Sequence, residues 1–150
     1  MTFNSSAIIA QNYADKIIGF YHVEDPFSED ESIVEIYKAN NGEYEARTIK
    51  MRYPYDKDGN LRLDKKNPDP AKRTTACDNN TMVFYGFKYD KEGNKWIDGK
   101  VYNPNSGTTY KATINIKDEN EIRLRGYVGI KALGMTMTWK RLANPEISPW

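Results

Sequence analysis

The residues able to do nucleophilic, acid–base or metal chemistry are few and scattered along the chain. His22 is the single histidine and Cys77 the single cysteine. A Ser-His-Asp or Cys-His catalytic arrangement would have to use His22, with Cys77 or a serine as the nucleophile. No nucleophile motif surrounds either residue, so no catalytic residue is assigned. One His and one Cys fall short of the usual zinc ligand set, so no metal site is assigned and no cofactor is implied. Asp56-Lys57-Asp58-Gly59-Asn60 invites a calcium reading, but the EF-hand loop needs Gly sixth and Glu twelfth. Here Gly59 is fourth and the twelfth residue is Asn67, so turn formation explains the segment better. The acidic stretch of Glu24-Asp25 and Glu29-Asp30-Glu31 reads as a solvated hairpin loop, with weak cation binding as the alternative.

Two groups of residues are better placed to touch another molecule. The first is the polar cluster Asp64, Asn67, Asp69 and Arg73, inside a connection at 53–80 far longer than a hairpin loop. It is either a patch at a barrel mouth that meets a ligand or partner, or loop scaffolding in which Asp and Asn bond local backbone and Pro stiffens the chain. Asp69 can cap a short helix with Pro70 at its first position, and Arg73 would then stand near that helix's C-terminal end. The second group is aromatic: Tyr44, Phe84, Tyr102, Tyr110 and Trp139. Inside a barrel their polar tips would orient a ligand in an apolar pocket. The same residues would equally make a filled core.

The elements that must position these groups are strands. Apolar and polar residues alternate with period two at 17–24, 32–39, 43–52, 81–89, 95–102, 108–117, 121–128 and 135–142. The alternation is cleanest late in the chain. Tyr110, Ala112, Ile114 and Ile116 oppose Lys111, Thr113, Asn115 and Lys117 there, and a slip of one residue would invert every side chain. Asn12 to Lys16 allow one helical turn before the first strand. Asn40-Asn41-Gly42 marks a tight hairpin. The near-identical Asp56-Lys57-Asp58-Gly59-Asn60 and Asp90-Lys91-Glu92-Gly93-Asn94 each predict a type I turn followed by Gly in the left-handed region. Eight sequential antiparallel strands predict an all-β fold: one closed eight-stranded up-and-down barrel, which leaves no unpaired edge. Its interior is either filled or holds one small ligand. The predicted division is an N-terminal tail at 1–16, a barrel at 17–142 and a C-terminal tail at 143–150.

Composition removes other classes. The chain has 150 residues, enough for one domain with a substantial core. Lys and Arg number 22 against 21 Asp and Glu, a net charge of +1, so nothing points to nucleic acid. No apolar run approaches the roughly 20 residues of a membrane helix, so no transmembrane segment is predicted. Ser5-Ser6-Ala7-Ile8-Ile9-Ala10 before Gln11 reads either as the end of an export signal, lacking its basic start, or as an ordinary flexible tail.

Several motifs occur together in a familiar order: Ile18-Gly19-Phe20-Tyr21, Val34-Glu35-Ile36-Tyr37, Leu63-Asp64 with Asn67-Pro68-Asp69-Pro70, Gly99-Lys100-Val101-Tyr102-Asn103-Pro104, Gly107 with Thr109-Tyr110, Arg125-Gly126-Tyr127-Val128-Gly129 and Thr138-Trp139-Lys140-Arg141. The chain resembles the bacterial domain-of-unknown-function family 2147 from about residue 17 to 142. That resemblance implies a lipocalin-like barrel, usually behind an export signal, hence periplasmic or secreted, with no assigned activity. The chain departs from the family pattern in three places. Tyr21 stands where the family carries Trp, residues 74–80 intervene after Arg73, and Met135 and Met137 replace polar residues. In a closed barrel the first and last strands pair, which predicts Tyr21, Trp139 and Arg141 together as a structural closure, with Arg141 across an aromatic ring. A ligand-facing role for Trp139 is the alternative. The expected function is non-covalent binding of a small apolar or amphipathic molecule by an exported, non-enzymatic protein. The runner-up is a structural or interaction protein of the envelope that uses the 53–80 loop.

Overall fold

The structure, a computed structural model, describes residues 13–78, 81–128 and 134–150. The export-signal reading at 5–10, Asn12 of the first turn, Asn79 and Asn80 of the long loop, and Gly129 lie outside the described residues. Eight strands follow in order: β1 (Gly19–Glu24), β2 (Glu31–Lys38), β3 (Tyr44–Met51), β4 (Met82–Asp90), β5 (Lys95–Asn103), β6 (Thr108–Ile116), β7 (Glu121–Tyr127) and β8 (Met135–Leu142). Each pairs antiparallel with its neighbours in sequence, and β1 pairs with β8 to close the barrel. The expected fold class is therefore the observed one. Period-two patterning carries it: Tyr21, Val34, Ile36, Tyr44, Ala46, Ala112, Ile114, Ile122, Leu124 and Trp139 point inward and are buried.

β4 and β5 break that period in a way the alternation did not predict. Phe84 and Phe87 are three residues apart, yet both are fully buried. Gly86, at φ +77°, inserts the extra step that brings Phe87 back to the inner face. Across from it Asp98 sits at φ +62°, and the β5–β6 register shifts between Trp96 and Gly99. Gly99 has no Cβ because one would fall 2.2 Å from the Phe87 ring. These irregularities curve the sheet and let Phe84, Phe87, Trp96 and Trp139 share one core, with Phe84 stacked on Trp139 at 5.6 Å and edge-on to Phe87 at 4.8 Å.

One end of the barrel is corked. Tyr13 and Ala14 turn helically into a 3-10 turn, Asp15–Ile17, whose Ile17 is fully buried. Tyr13 stacks on Trp96, whose indole N–H donates to the Ala14 carbonyl at 3.1 Å. Tyr44 donates its hydroxyl proton to Asp15 at 2.6 Å, and Tyr21 to the Ile17 carbonyl at 2.8 Å. The cork belongs to the core, so the predicted division at residue 17 falls inside it.

The seam is short and reinforced. β1 and β8 pair only at Phe20↔Leu142, Tyr21↔Arg141 and His22↔Lys140. Arg141 lies over the Tyr21 ring at 5.0 Å and donates to the carbonyls of Ile18, at 2.9 Å, and Lys16. Tyr21 and Trp139 have ring centroids 6.3 Å apart. Gly19 makes room for the guanidinium, since a Cβ there would lie 2.5 Å from Arg141 Nη1. At the other end of the chain, Trp150 packs against His22 at 6.1 Å and under the Lys50 ammonium at 5.9 Å. Ile33 is registered between those two, and this outward-facing isoleucine is only 1% exposed.

The turns correct one expectation. Gly59 is left-handed at φ +80°, as predicted, but in the 90–94 loop the left-handed residue is Asn94 at φ +51°, not Gly93. Asn tolerates this region, and Asn94 is held there by the Tyr89 hydroxyl, which donates to its side-chain oxygen at 2.7 Å.

Two outcomes are expected. Arg141→Met leaves two cork carbonyls without their charged donor and removes the cation over Tyr21, and should cost about 1.5–3 kcal/mol. Urea unfolding should show a lower midpoint at unchanged slope. Burial, partly offset by Arg141, pushes the Tyr21 hydroxyl up to about 12. A raised acid stabilises its protonated form, so that contribution is complete below the unfolded value of 10.0 and disappears as pH rises through about 12. Stability should hold from neutral pH to about 10 and fall beyond it. Tyrosinate absorbance should report Tyr21 ionising only as the fold is lost.

Candidate functional site

The end opposite the cork is open, and the strand ends there build a cavity of about 130 Å³. Val23 of β1, Thr48 and Met51 of β3, Val83 of β4, Val101 and Tyr102 of β5, and Met137 and Trp139 of β8 supply its walls and floor. The surface they present is mostly apolar because Val101, Met137 and Trp139 are inward positions of their strands, joined at the rim by Val83 and Tyr102.

Above the cavity a polar collar straps three loops together. Arg62, from the long connection, makes a two-pronged pair with Asp30, Nη1 to Oδ1 at 2.6 Å and Nη2 to Oδ2 at 2.8 Å. It also donates to the Asn105 side-chain oxygen at 2.8 Å and the Tyr53 carbonyl at 3.1 Å. Asn105, from the β5–β6 loop, donates in turn to Asp25 and Asp30, each at 2.8 Å. The Arg62 hydrogen bonds hold the Asp30 carboxyl below its ordinary range despite burial, with Asn105 helping, and the same pair raises Arg62. Sequence reasoning missed Arg62, Asp30 and Asn105 as a unit. The available signals were an arginine flanked by Leu61 and Leu63, and an Asn-Pro-Asn loop at 103–105.

The long connection is ordered by its own short pairings. Tyr55 bridges to Leu61 and Leu63 to Ala76. Asp69 caps a 3-10 turn, Pro70–Lys72, accepting from Ala71 N–H at 3.0 Å, with Pro70 first and Arg73 at the C-cap. Asp64, 3% exposed, accepts from the Tyr102 hydroxyl at 2.5 Å and from the Asn67 amide at 2.7 Å. Arg73 Nε donates to the Asn67 carbonyl at 2.8 Å. Asp64, Asn67, Asp69 and Arg73 therefore bind to one another, to their own loop and to β5. Asp64, Asn67 and Asp69 also border a second and larger hollow of about 820 Å³, which Met82, Tyr85 and Tyr102 help to line.

The five aromatics expected at a ligand site separate. Trp139 and Tyr102 line the mouth cavity. Tyr44 is at the corked end, bonded to Asp15, and Phe84 is fully buried in the core. Tyr110 is half-buried, opposite Val101, and does not border the cavity. Tyr21, Trp139 and Arg141 meet at the seam described above. The interior is thus filled over its corked half and hollow only at the mouth.

Besides Tyr44 with Asp15 at the cork, titratable groups within hydrogen-bond reach of one another include Tyr102 with Asp64, Tyr37 with Glu45 at 2.8 Å, and His22 with Glu31 at 3.0 Å. Burial and the Asp64 carboxylate push the Tyr102 hydroxyl well above its usual value, so it is held as a proton donor. Burial, followed by Asp64, pushes the Cys77 thiol up to about 11, which keeps it from being a thiolate at neutral pH. Counting only His and Cys also overlooked one grouping: His22, Glu24 and Glu31 each place a ligand-capable atom within 4.8 Å of the others on the outer face. Glu31 gives one oxygen to His22 and the other to Arg52, and the Arg52 bond lowers its carboxyl. That makes the group an ion-paired cluster.

A closed antiparallel barrel of eight strands, plugged at one end and open at the other, has lipocalin-like architecture. The chain aligns with protein HP1028 from the human pathogen Helicobacter pylori, described as belonging to the lipocalin family, at a TM-score of 0.69 and 27% identity, over 87% of this chain and 85% of that one. The model for the family "Uncharacterized protein conserved in bacteria" (DUF2147) matches residues 19–141, and the chain belongs to that family. The family resemblance and the lipocalin-like fold read from the motifs are both borne out. No curated protein matches the chain.

Asp30→Asn should cost about 1–2 kcal/mol at pH 7, because a half-buried two-pronged ion pair is lost. A lowered carboxyl stabilises the fold above its unfolded value, 3.8 for Asp30, and stops doing so as pH falls through its lower folded value. The variant should therefore lose less stability than the parent between pH 5 and about 2, read as thermal midpoints across that range.

Proposed function

We propose that the protein binds a small, partly apolar molecule non-covalently in the mouth cavity. One observation carries this reading: at the open end, an apolar cavity of about 130 Å³ is floored by Trp139 and bordered by Tyr102. An apolar cavity of about 150 Å³ inside a protein is enough to take up benzene. The hollow here thus suits one ring or a short alkyl segment, with the remainder of the ligand passing out between the loops. The lipocalin-like neighbour supports a binding role by architecture, and fold alone does not name a ligand.

The reading is non-enzymatic. It is supported by Cys77 being held as a thiol, and by Asp64 being engaged by Tyr102 and Asn67 rather than acting as a base on it. It also places the protein outside the cytoplasm, periplasmic or secreted, supported by the sequence at 5–10 and the family resemblance. A second reading, an interaction module of the envelope built on the 53–80 loop, is favoured by exposed Phe27, Tyr53, Tyr55 and Leu61 on loops at the same end.

Native mass spectrometry of protein gently purified from its own host separates the two. A binder should show a reproducible excess mass that is lost on denaturation. Thr48→Phe, which fills the cavity from β3, should abolish that mass while the variant keeps a cooperative thermal transition. A bare mass at all collision energies, with neighbouring proteins captured by crosslinks through Tyr53 or Tyr55, would sink the binding reading in favour of the interaction module.

A further inference from the structure

The cavity floor carries one unanswered polar group. Among the described residues, the Trp139 indole Nε1 is the sole buried side-chain nitrogen or oxygen without a hydrogen-bond partner. Trp139 is 1% exposed and lines the mouth cavity. Its aromatic neighbours explain why the N–H is unmet. Phe84 stacks on it and offers no acceptor, and the Tyr21 hydroxyl is turned to the Ile17 carbonyl at the cork. The contrast with Trp96 is instructive: that indole is equally buried, yet it donates to the Ala14 carbonyl. A buried donor left unpaired is uncommon, and such groups are where a missing partner is expected.

The rest of the cavity decides what kind of acceptor suits it. Arg62 is the cation of the collar, and its guanidinium is already taken by Asp30, Asn105 and the Tyr53 carbonyl. Glu24, Asp25, Asp30 and Glu31 line the cavity with Arg62, so the charged groups there leave a net negative charge. An anionic head would enter against that charge and, among the described residues lining the cavity, meet only the already paired Arg62. A neutral oxygen meets no such cost and accepts from the indole as well.

We infer that the ligand of the mouth cavity buries an apolar end bearing one neutral hydrogen-bond acceptor, such as a ketone, aldehyde, ester or ether oxygen, which receives the Trp139 N–H. This deepens the binding reading above and rests on it. Trp139 sets specificity by rejecting the pure hydrocarbon isostere and leaving a carboxylate at a disadvantage. Met137 lies two residues away on the same face of β8 and lines the same cavity. Its flexible thioether can give way as the acceptor reaches the indole.

The test uses the full-length protein and three probes of similar shape: anisole, ethylbenzene and benzoate. Affinities are read by ligand-observed NMR and calorimetry, and the indole N–H resonances by protein NMR. The Trp139 signal is assigned by its loss in Trp139→Phe, a variant that keeps a ring on the floor. Anisole should bind about three- to tenfold more tightly than ethylbenzene, the worth of one net hydrogen bond. It should move the Trp139 N–H resonance, and its advantage over ethylbenzene, measured within the same variant, should vanish in Trp139→Phe. Benzoate should bind most weakly. Equal binding of anisole and ethylbenzene, or an advantage that survives in Trp139→Phe, overturns the inference and leaves the binding site standing. Tightest binding by benzoate overturns it too. If no probe binds the parent protein and Thr48→Phe changes nothing, the cavity reading fails with it.

Discussion

A sheet of eight strands has two exposed edges unless the first and last strands meet, and every other feature of this protein depends on their meeting. The joint is narrow, three residue pairs between β1 and β8, where β1–β2 has six. Arg141 makes up the difference. From the last strand it roofs Tyr21 on the first and holds the carbonyls of Lys16 and Ile18. One side chain therefore ties together the seam and the cork. Because the cork occupies one end so completely, the remaining space is forced to the other, where the loops are.

Much of this was legible. The strands fall within two residues of where alternation put them, because each has one face that must be buried and one that meets water. The Asp69-Pro70 cap was readable from residue type, and the meeting of Tyr21, Trp139 and Arg141 from the pairing of first and last strands that a closed barrel requires. What period two could not convey was its own interruption. Nothing in the local pattern of 82–90 announces that Gly86 will turn Phe87 inward, because the cause is the curvature of a closed wall and the matching irregularity at Asp98. The helical turn before β1 was legible at 12–16, but its service as a cork was not, because the burial of Tyr13, Ala14 and Ile17 comes from the hole they fill.

The candidate site was half legible, for a geometric reason. Alternation says which side of the wall a residue is on but not how high along the barrel it stands. Height depends on strand tilt and stagger, which follow from pairing across the whole sheet. Tyr44 and Trp139 are both inward, yet one touches the cork and the other the hollow. Tyr102 borders the mouth next to the inward Val101, although alternation puts the two on opposite sides, because it stands at the end of β5, where the wall gives way to the rim. The collar of Arg62, Asp30 and Asn105 joins loops 32 and 43 residues apart in sequence, a distance that no motif spans.

The plugged end has a kinetic corollary. A tube open at both ends lets one guest be pushed out from behind by the next. Here Ile17 and its neighbours close one end, so among the described residues the proposed ligand would have one gateway, and a departing molecule and an arriving one would take turns. Crowding at that gateway acts on entry and exit alike. Changes confined to the loops around it therefore alter how fast the site fills and empties by the same factor, and the occupancy finally reached stays the same.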